Sequence, residues 1–229
     1  MWLVDIHCHT AGMSPDSSLS LSQALSDAAR AGIDALCLTE HDAFWVPEDL
    51  AGHVPSDGTG NARVMVIPGA EINTDAGHVL VFGLKSYRFG FHHPVELAAA
   101  VKREGGAMIL AHPYRRALPP DVIPNSMPYD AALRRALDNP LLRLVDAVEV
   151  VNGRGSQAEN RFAGDLARAA GLSGLAGSDA HQPGEAGSCV TEFEQPVRCV
   201  EDLIGALKIG RFRPAPRSAA AGETGDEQF

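Results

Sequence analysis

Nine histidines are spread over this 229-residue chain, and six of them fall beside short apolar runs that read as β-strands. His7 and His9 flank Cys8 directly after the first such run. Extended backbone sends alternate side chains to opposite faces, so the two imidazoles share one face and Cys8 takes the other. Two neighbouring imidazoles can ligate one ion. Asp179 and His181 repeat that spacing in Gly177-Ser-Asp-Ala-His181. Other runs lead into Glu40-His41-Asp42, Glu71, His112 and Asn152, whereas His78 opens a run instead of ending one. Asp5 shares the face of His7 and His9 and is placed to orient an imidazole by accepting its second N–H. His53 reads as loop, and His92-His93 as the lead-in to a helix.

The donors are imidazole nitrogens and carboxylate oxygens, with no thiolate among them. That set suits zinc, manganese or iron and disfavours a closed structural zinc site. There are more donors than one tetrahedral ion takes, so the economical reading is two or three divalent ions sharing a carboxylate. Two ions about 3.5–4 Å apart clamp the attacking and leaving oxygens of a displacement at phosphorus, and water on such an ion loses a proton near neutral pH and becomes the nucleophile. A coordinated side chain is a poor general acid. Asp179 and His181 are therefore no more than candidate proton carriers, and the leaving-group acid is unassigned.

Residues 3–6, 35–38, 64–67, 79–82, 107–110, 147–151, 175–177 and 189–193 are short, continuously apolar strand candidates, as parallel strands buried on both faces should be. Between them lie helical patterns at 20–31, 94–103, 129–137, 157–170 and 200–209, several ending on glycine. Alternating β and α elements imply a parallel sheet, whose carboxyl ends lie on one face and bring distant residues together. An open doubly wound sheet and a closed barrel both fit this order. Residues 43–63 and 114–127 read as long excursions, and 214–229 as a disordered tail.

Hydrophobic residues make up 45% of the chain and charged residues 21%, enough apolar material for a core. A formal net charge of -10 argues against long duplex nucleic acid as a partner. No apolar run approaches a membrane span and no secretory pattern opens the chain, so the expectation is no membrane and a cytoplasmic location. The four cysteines form no CxxC pair and read as reduced, buried thiols.

Taken together, the motifs DIHCHT at 5–10, TEHD at 39–42, GAEI at 69–72, AHPYR at 111–115 and GSDAH at 177–181 resemble the polymerase and histidinol phosphatase (PHP) family of metal-dependent phosphoesterases over residues 1 to about 210. The resemblance implies a distorted (β/α)7 barrel, TIM-barrel-like, over residues 1–213, with a di- or trinuclear site at the carboxyl ends of the strands. It assigns His7, His9, Glu71 and Asp179 to a first site. Glu71 bridges to a second, completed by His112 and His78, and Asp16, His41 and His181 form a third. Arg115 resembles a phosphate-binding arginine, and Asn152 and Arg154 are candidate substrate contacts. Glu40 stands where the family more usually has Asp.

The expected activity is hydrolysis of a phosphate mono- or diester in a small phosphorylated molecule or at a nucleotide end. One rival is an amidohydrolase acting on a C–N bond. That family relies on a carbamylated lysine as bridge, whereas Lys85, Lys102 and Lys208 lie in loop or helix positions. The other rival is a non-catalytic, metal-stabilised module that docks on a replication protein.

Overall fold

The computed structural model describes residues 1–46, 50, 64–119 and 122–215. Its strands are β1 (Trp2–Asp5), β2 (Ala35–His41), β3 (Met65–Thr74), β4 (Gly77–Phe82), β5 (Ala107–Leu110), β6 (Ala147–Asn152), β7 (Ser173–Gly177), β8 (Thr191–Phe193) and β9 (Phe212–Pro214). Its helices are α1 (Leu21–Arg30), α2 (Pro94–Arg103), α3 (Met127–Ala136), α4 (Gln157–Ala170) and α5 (Val200–Ile209). Local chemistry explains the helix ends. Ser20 and Ser126 cap α1 and α3 through their hydroxyls, and Ser156 with Glu159 forms a full capping box on α4. Gly171 and Gly210 close α4 and α5 in the left-handed region, with φ of 69° and 75°.

The strands form one nine-stranded sheet in the order β7-β6-β5-β4-β3-β2-β1-β8-β9. The pairs β1–β2, β2–β3, β5–β6 and β6–β7 are parallel, but β4 runs antiparallel to both β3 and β5. The all-parallel expectation fails there for a plain reason. β3 turns into β4 through the tight pairing of Thr74 with Gly77, which leaves no room for the crossover a parallel neighbour requires. The reversal puts the start of β4 beside the ends of β3 and β5, so His78 joins the face where the other strands finish.

The sheet curls into a nearly closed barrel. Cys8 bridges Ala180 in parallel just past β1 and β7, and the Thr191 hydroxyl of β8 both accepts from Ala176 N and donates to Ala176 O at 2.8 Å. This is the distorted barrel expected, and it excludes the open doubly wound alternative. Along β4 and β5 the side chains alternate between two cores. Leu80, Phe82, Ala107 and Ile109 join the cluster sealed by Leu203 and Leu207 of α5. Val79, Val81, Met108 and Leu110 pack with Leu97 of α2 and Phe162 of α4. A third cluster lies under α1, around Leu21, Leu25, Leu36 and Leu38.

The ladder runs further than apolarity alone suggests. Glu40, His41, Glu71 and Asn152 lie inside their strands, with His41 paired to Glu71 and Asn152 to Gly177. A 3-10 turn at Pro140–Arg143 and strand β9 fall outside the sequence expectations, and Pro214 pairs with Thr191 instead of beginning a disordered tail. Residues 216–229, and most of the 43–63 excursion with His53, lie outside the described residues. Cys8, Cys37 and Cys189 are buried, but Cys199 is exposed at the start of α5, contrary to expectation. Among the described residues no helix is long and apolar enough to cross a membrane.

Candidate metal centre

All nine sequence-predicted ligands gather at the strand-end mouth of the barrel. His7 and His9 follow β1, Asp16 sits in the β1–α1 loop, and His41 ends β2. Glu71 lies in β3 and His78 in β4, while His112 follows β5 and Asp179 and His181 follow β7. The Nε2 atoms of His7 and His9 are 3.0 Å apart. Glu71 Oε2 lies 3.4 Å from His7 Nε2, 3.2 Å from His9 Nε2 and 3.2 Å from His41 Nδ1. Asp179 Oδ1 lies 3.6 and 3.4 Å from the same two Nε2 atoms. The other Glu71 oxygen, Oε1, faces His78 Nδ1 at 2.8 Å and His112 Nε2 at 2.9 Å. Asp16 Oδ2 faces His181 Nε2 at 3.1 Å and His41 Nε2 at 3.4 Å. Glu71 thus divides the donors into two sets, one per oxygen, and Asp16 marks a third at the more exposed rim, where its side chain is 57% accessible.

Three of the imidazoles have their tautomers dictated by neighbours. His7 Nδ1 is 3.0 Å from Glu149 Oε1, which can only accept from it. His181 Nδ1 is 2.8 Å from the carbonyl of Asp179, again an acceptor. The Ser14 hydroxyl spends its one proton on Glu40 Oε2 at 2.6 Å, so it accepts from His9 Nδ1 at 3.1 Å. In the neutral form of all three rings Nδ1 carries the proton, which leaves the Nε2 lone pair turned toward the carboxylate oxygens.

Lone pairs facing carboxylates at these separations repel unless a positive charge lies among them. Glu71 Oε2, Asp179 Oδ1 and His41 Nδ1 are buried and make no hydrogen bond among the described residues. An orphaned buried carboxylate oxygen is costly, and three unpaired donors converging on common neighbours fit bound cations well. The backbone shows the same investment. His112 and Asp179 hold φ of 26° and 55°, strain of about 1–3 kcal/mol each for non-glycine residues. It is held by His112 N donating to Glu149 Oε2 at 2.8 Å and Asp179 N to His7 O at 2.8 Å.

The electrostatics follow from the crowding. Burial disfavours a charge on His7, but Glu149, Asp179 and Glu71 outweigh it and hold the ring's pKa well above its ordinary value. Burial would raise Glu71 and Asp179, yet the surrounding histidines, and Arg115 for Asp179, keep both far below the usual carboxylate range. His41 and His181 are pushed down by burial and by the neighbouring His9. Both carboxylates are therefore ionised and ready for a cation at any ordinary pH.

Two sequence readings change. Asp5 orients no imidazole. Its Oδ1 accepts from His7 N at 3.3 Å and Ser178 N at 2.9 Å, and its Oδ2 from Gly187 N at 2.8 Å, so it ties three chain segments below the site. The imidazole partner is Glu149 of β6, fully buried, which no sequence reading singled out. Its one signal was a charged residue inside an apolar strand. Its Oε2 also accepts from Asn152 Nδ2 at 3.1 Å. Gly177 makes room for this pair, since a Cβ there would sit 2.6 Å from His7 Cβ and 2.7 Å from Glu149 Oε1.

Glu40 is also spoken for. It accepts from Thr10 N, Thr10 Oγ1, Ser14 Oγ and Trp45 Nε1, and so anchors the loop that carries Asp16. Of the candidate substrate contacts, Arg115 donates to Asp179 Oδ2 and, at 3.4 Å, to Asn152 Oδ1. Asn152 Nδ2 also reaches Asp179 Oδ2 at 3.2 Å. Arg154 is exposed, and its charge is close enough to His181 to help lower that ring's pKa.

Residues 157–212 match the family model described as PHP-associated. No curated protein matches the chain in sequence. Among solved structures, the chain is similar to PsfC from Pseudomonas syringae PB-5123, with 21% identity, a TM-score of 0.64 and coverage of 93% of this chain and 91% of that one. It is also similar to a two-domain protein from Bacteroides vulgatus containing a predicted PHP-like metal-dependent phosphoesterase. There the identity is 21% and the TM-score 0.61, over 94% of this chain and 65% of that one. A third similar structure is an amidohydrolase from Chromobacterium violaceum holding sulfate, at 18% identity and a TM-score of 0.53, over 95% and 99% of the two chains. At these identities the likeness speaks for the fold.

Proposed function

We propose that the chain, which shares its fold with a PHP-like protein and matches the PHP-associated model over residues 157–212, is a metal-dependent hydrolase of phosphate esters, acting on a small phosphorylated molecule or a nucleotide end. The observation that carries the reading is the convergence of Glu71 Oε2, Asp179 Oδ1 and His41 Nδ1, buried and without a hydrogen bond among the described residues, with the Nε2 atoms of His7, His9 and His181, whose Nδ1 atoms face acceptors. His7, His9, Glu71 and Asp179 would hold one divalent ion, and Glu71, His78 and His112 a second. Asp16, His41 and His181 would hold a third. Zinc, manganese and iron all suit this donor set. Divalent ions bound there supply an activated water and positive charge against the phosphoryl oxygens.

The chain's own residues supply position. Arg115, anchored on Asp179, and Arg154, free at the rim beside His181 among the described residues, offer planar donors to phosphoryl oxygens. Asn152 fixes Arg115 and Asp179 relative to each other. The net charge of -10 favours a small substrate or a nucleotide end over long duplex. The C–N hydrolase reading is weaker. Its bridging lysine has no counterpart, since Glu71 occupies the shared position and Lys208 pairs with Asp146 at 3.7 Å.

The test is turnover by purified protein loaded with manganese or zinc, on a panel of phosphomonoesters, phosphodiesters and cyclic amides. Hydrolysis of one phosphate ester class that is lost in Glu71→Gln is the expected result. Folded, metal-loaded protein that turns over amides alone, or nothing, would refute the proposal.

A further inference from the structure

Asp75, His92 and His93 form a donor group separate from the one gathered on Glu71 and have no part in the function proposed above. Asp75 sits in the turn between β3 and β4, and the two histidines lead into α2. In sequence they are 17 and 18 residues from Asp75, with nothing to mark them as partners. The fold brings one donor atom from each within 4.8 Å of the others. His93 Nδ1 is 2.9 Å from Asp75 Oδ2, and the two imidazole rings are 4.0 Å apart between centroids.

The backbones that carry these side chains are already fixed. Asp75 N donates to the carbonyl of His92 at 2.9 Å, which ties the hairpin turn to the helix lead-in. His93 N donates to Gly90 O at 2.9 Å. His93 is the N-cap of α2 but makes no side-chain capping bond, because its ring is turned to Asp75. The positive end of α2 works against a cation here. Two carboxylates offset it, Asp75 itself and Glu96 of the first helical turn, whose Oε2 lies over Gly90.

We infer that Asp75, His92 and His93 form a peripheral site for one divalent transition-metal ion, taking borderline ions such as zinc or nickel in preference to magnesium or calcium. Two imidazoles and one carboxylate select that class. The half-exposed setting leaves the remaining coordination positions to water or to a ligand from outside. Occupied, the site clamps the β3–β4 turn onto the start of α2. That hairpin carries Glu71 and His78, so the peripheral ion stiffens one wall of the barrel mouth.

The experiment uses the full chain in zinc buffers of stepped free concentration, with bound zinc counted by elemental analysis and histidine rings followed by 15N NMR. Wild type is expected to bind one zinc more than His92→Ala/His93→Ala, with the His92 and His93 ring signals shifting as that ion loads. Asp75→Asn moves the loading of the same ion to higher free zinc. These positions are at the surface, so the variants keep the wild-type far-UV circular dichroism. Equal zinc counts in wild type and double variant at every free concentration would overturn the inference, as would ring signals at 92 and 93 that stay fixed while zinc loads elsewhere. The readout is metal count and not turnover, so it stands apart from the test of the phosphoesterase reading.

Discussion

Replacing Glu149 by glutamine keeps the shape of one buried side chain and changes what it can accept. The carboxylate receives three hydrogen bonds, from His7 Nδ1 at 3.0 Å, His112 N at 2.8 Å and Asn152 Nδ2 at 3.1 Å. A glutamine can satisfy only one side. If its carbonyl faces His7, its NH2 meets two donors, and two buried bonds are lost at about 1–3 kcal/mol each, or about 2–6 kcal/mol in all. If it faces the other way, NH2 meets Nδ1 of His7 and drives the ring to the opposite tautomer. Nε2 then carries a proton into the space where its lone pair was needed. Either outcome weakens metal binding, by about 10–100-fold on the usual scale for a residue that orients a ligand. The assay is competition for zinc against a chromophoric chelator, with long-range 1H–15N NMR to read the His7 tautomer and circular dichroism to confirm the fold. A folded Glu149→Gln protein with wild-type metal affinity and an unchanged His7 ring would refute the reasoning.

Asp16→Ala should bind one ion fewer than wild type by elemental analysis, and an unchanged count would argue against a third site at Asp16, His41 and His181. Gly177→Ala, which drives a methyl into His7 and Glu149, should cost about 1–3 kcal/mol in thermal unfolding and lower metal affinity with it. Arg115→Met should reduce kcat/KM for a phosphate ester by about 10–100-fold, the loss of a charged hydrogen bond, while metal count stays unchanged. Stripping metal with a chelator should lower the melting temperature. An ion present at 100 times its Kd contributes about 2.7 kcal/mol to the folded state, and the shift should be smaller in Glu71→Gln, which loses the ligand shared by two of the sites.

Much of the centre was legible from residue order alone. The HxH and DxH spacings, and the fall of carboxylates and histidines at the ends of apolar runs, carry their meaning locally, because period two and the common polarity of β/α units are properties of short segments. The helices were readable for the same reason: α2, α4 and α5 begin and end where Pro94, Ser156, Gly171 and Gly210 act on their own neighbours.

Other features depended on contacts between distant segments, which no local pattern encodes. The reversal of β4 follows from a hairpin turn and decides that His78 faces the mouth. The choice of Glu149 over Asp5 as partner of His7 rests on a contact across 142 residues. Asp75 meets His92 and His93 through the packing of a turn against a helix start. Sequence by itself determined which donors this protein owns and which end of the barrel they occupy. Tertiary structure decided which atoms face one another, because tautomer, register and strand direction are set by neighbours that come together only when the chain closes on itself.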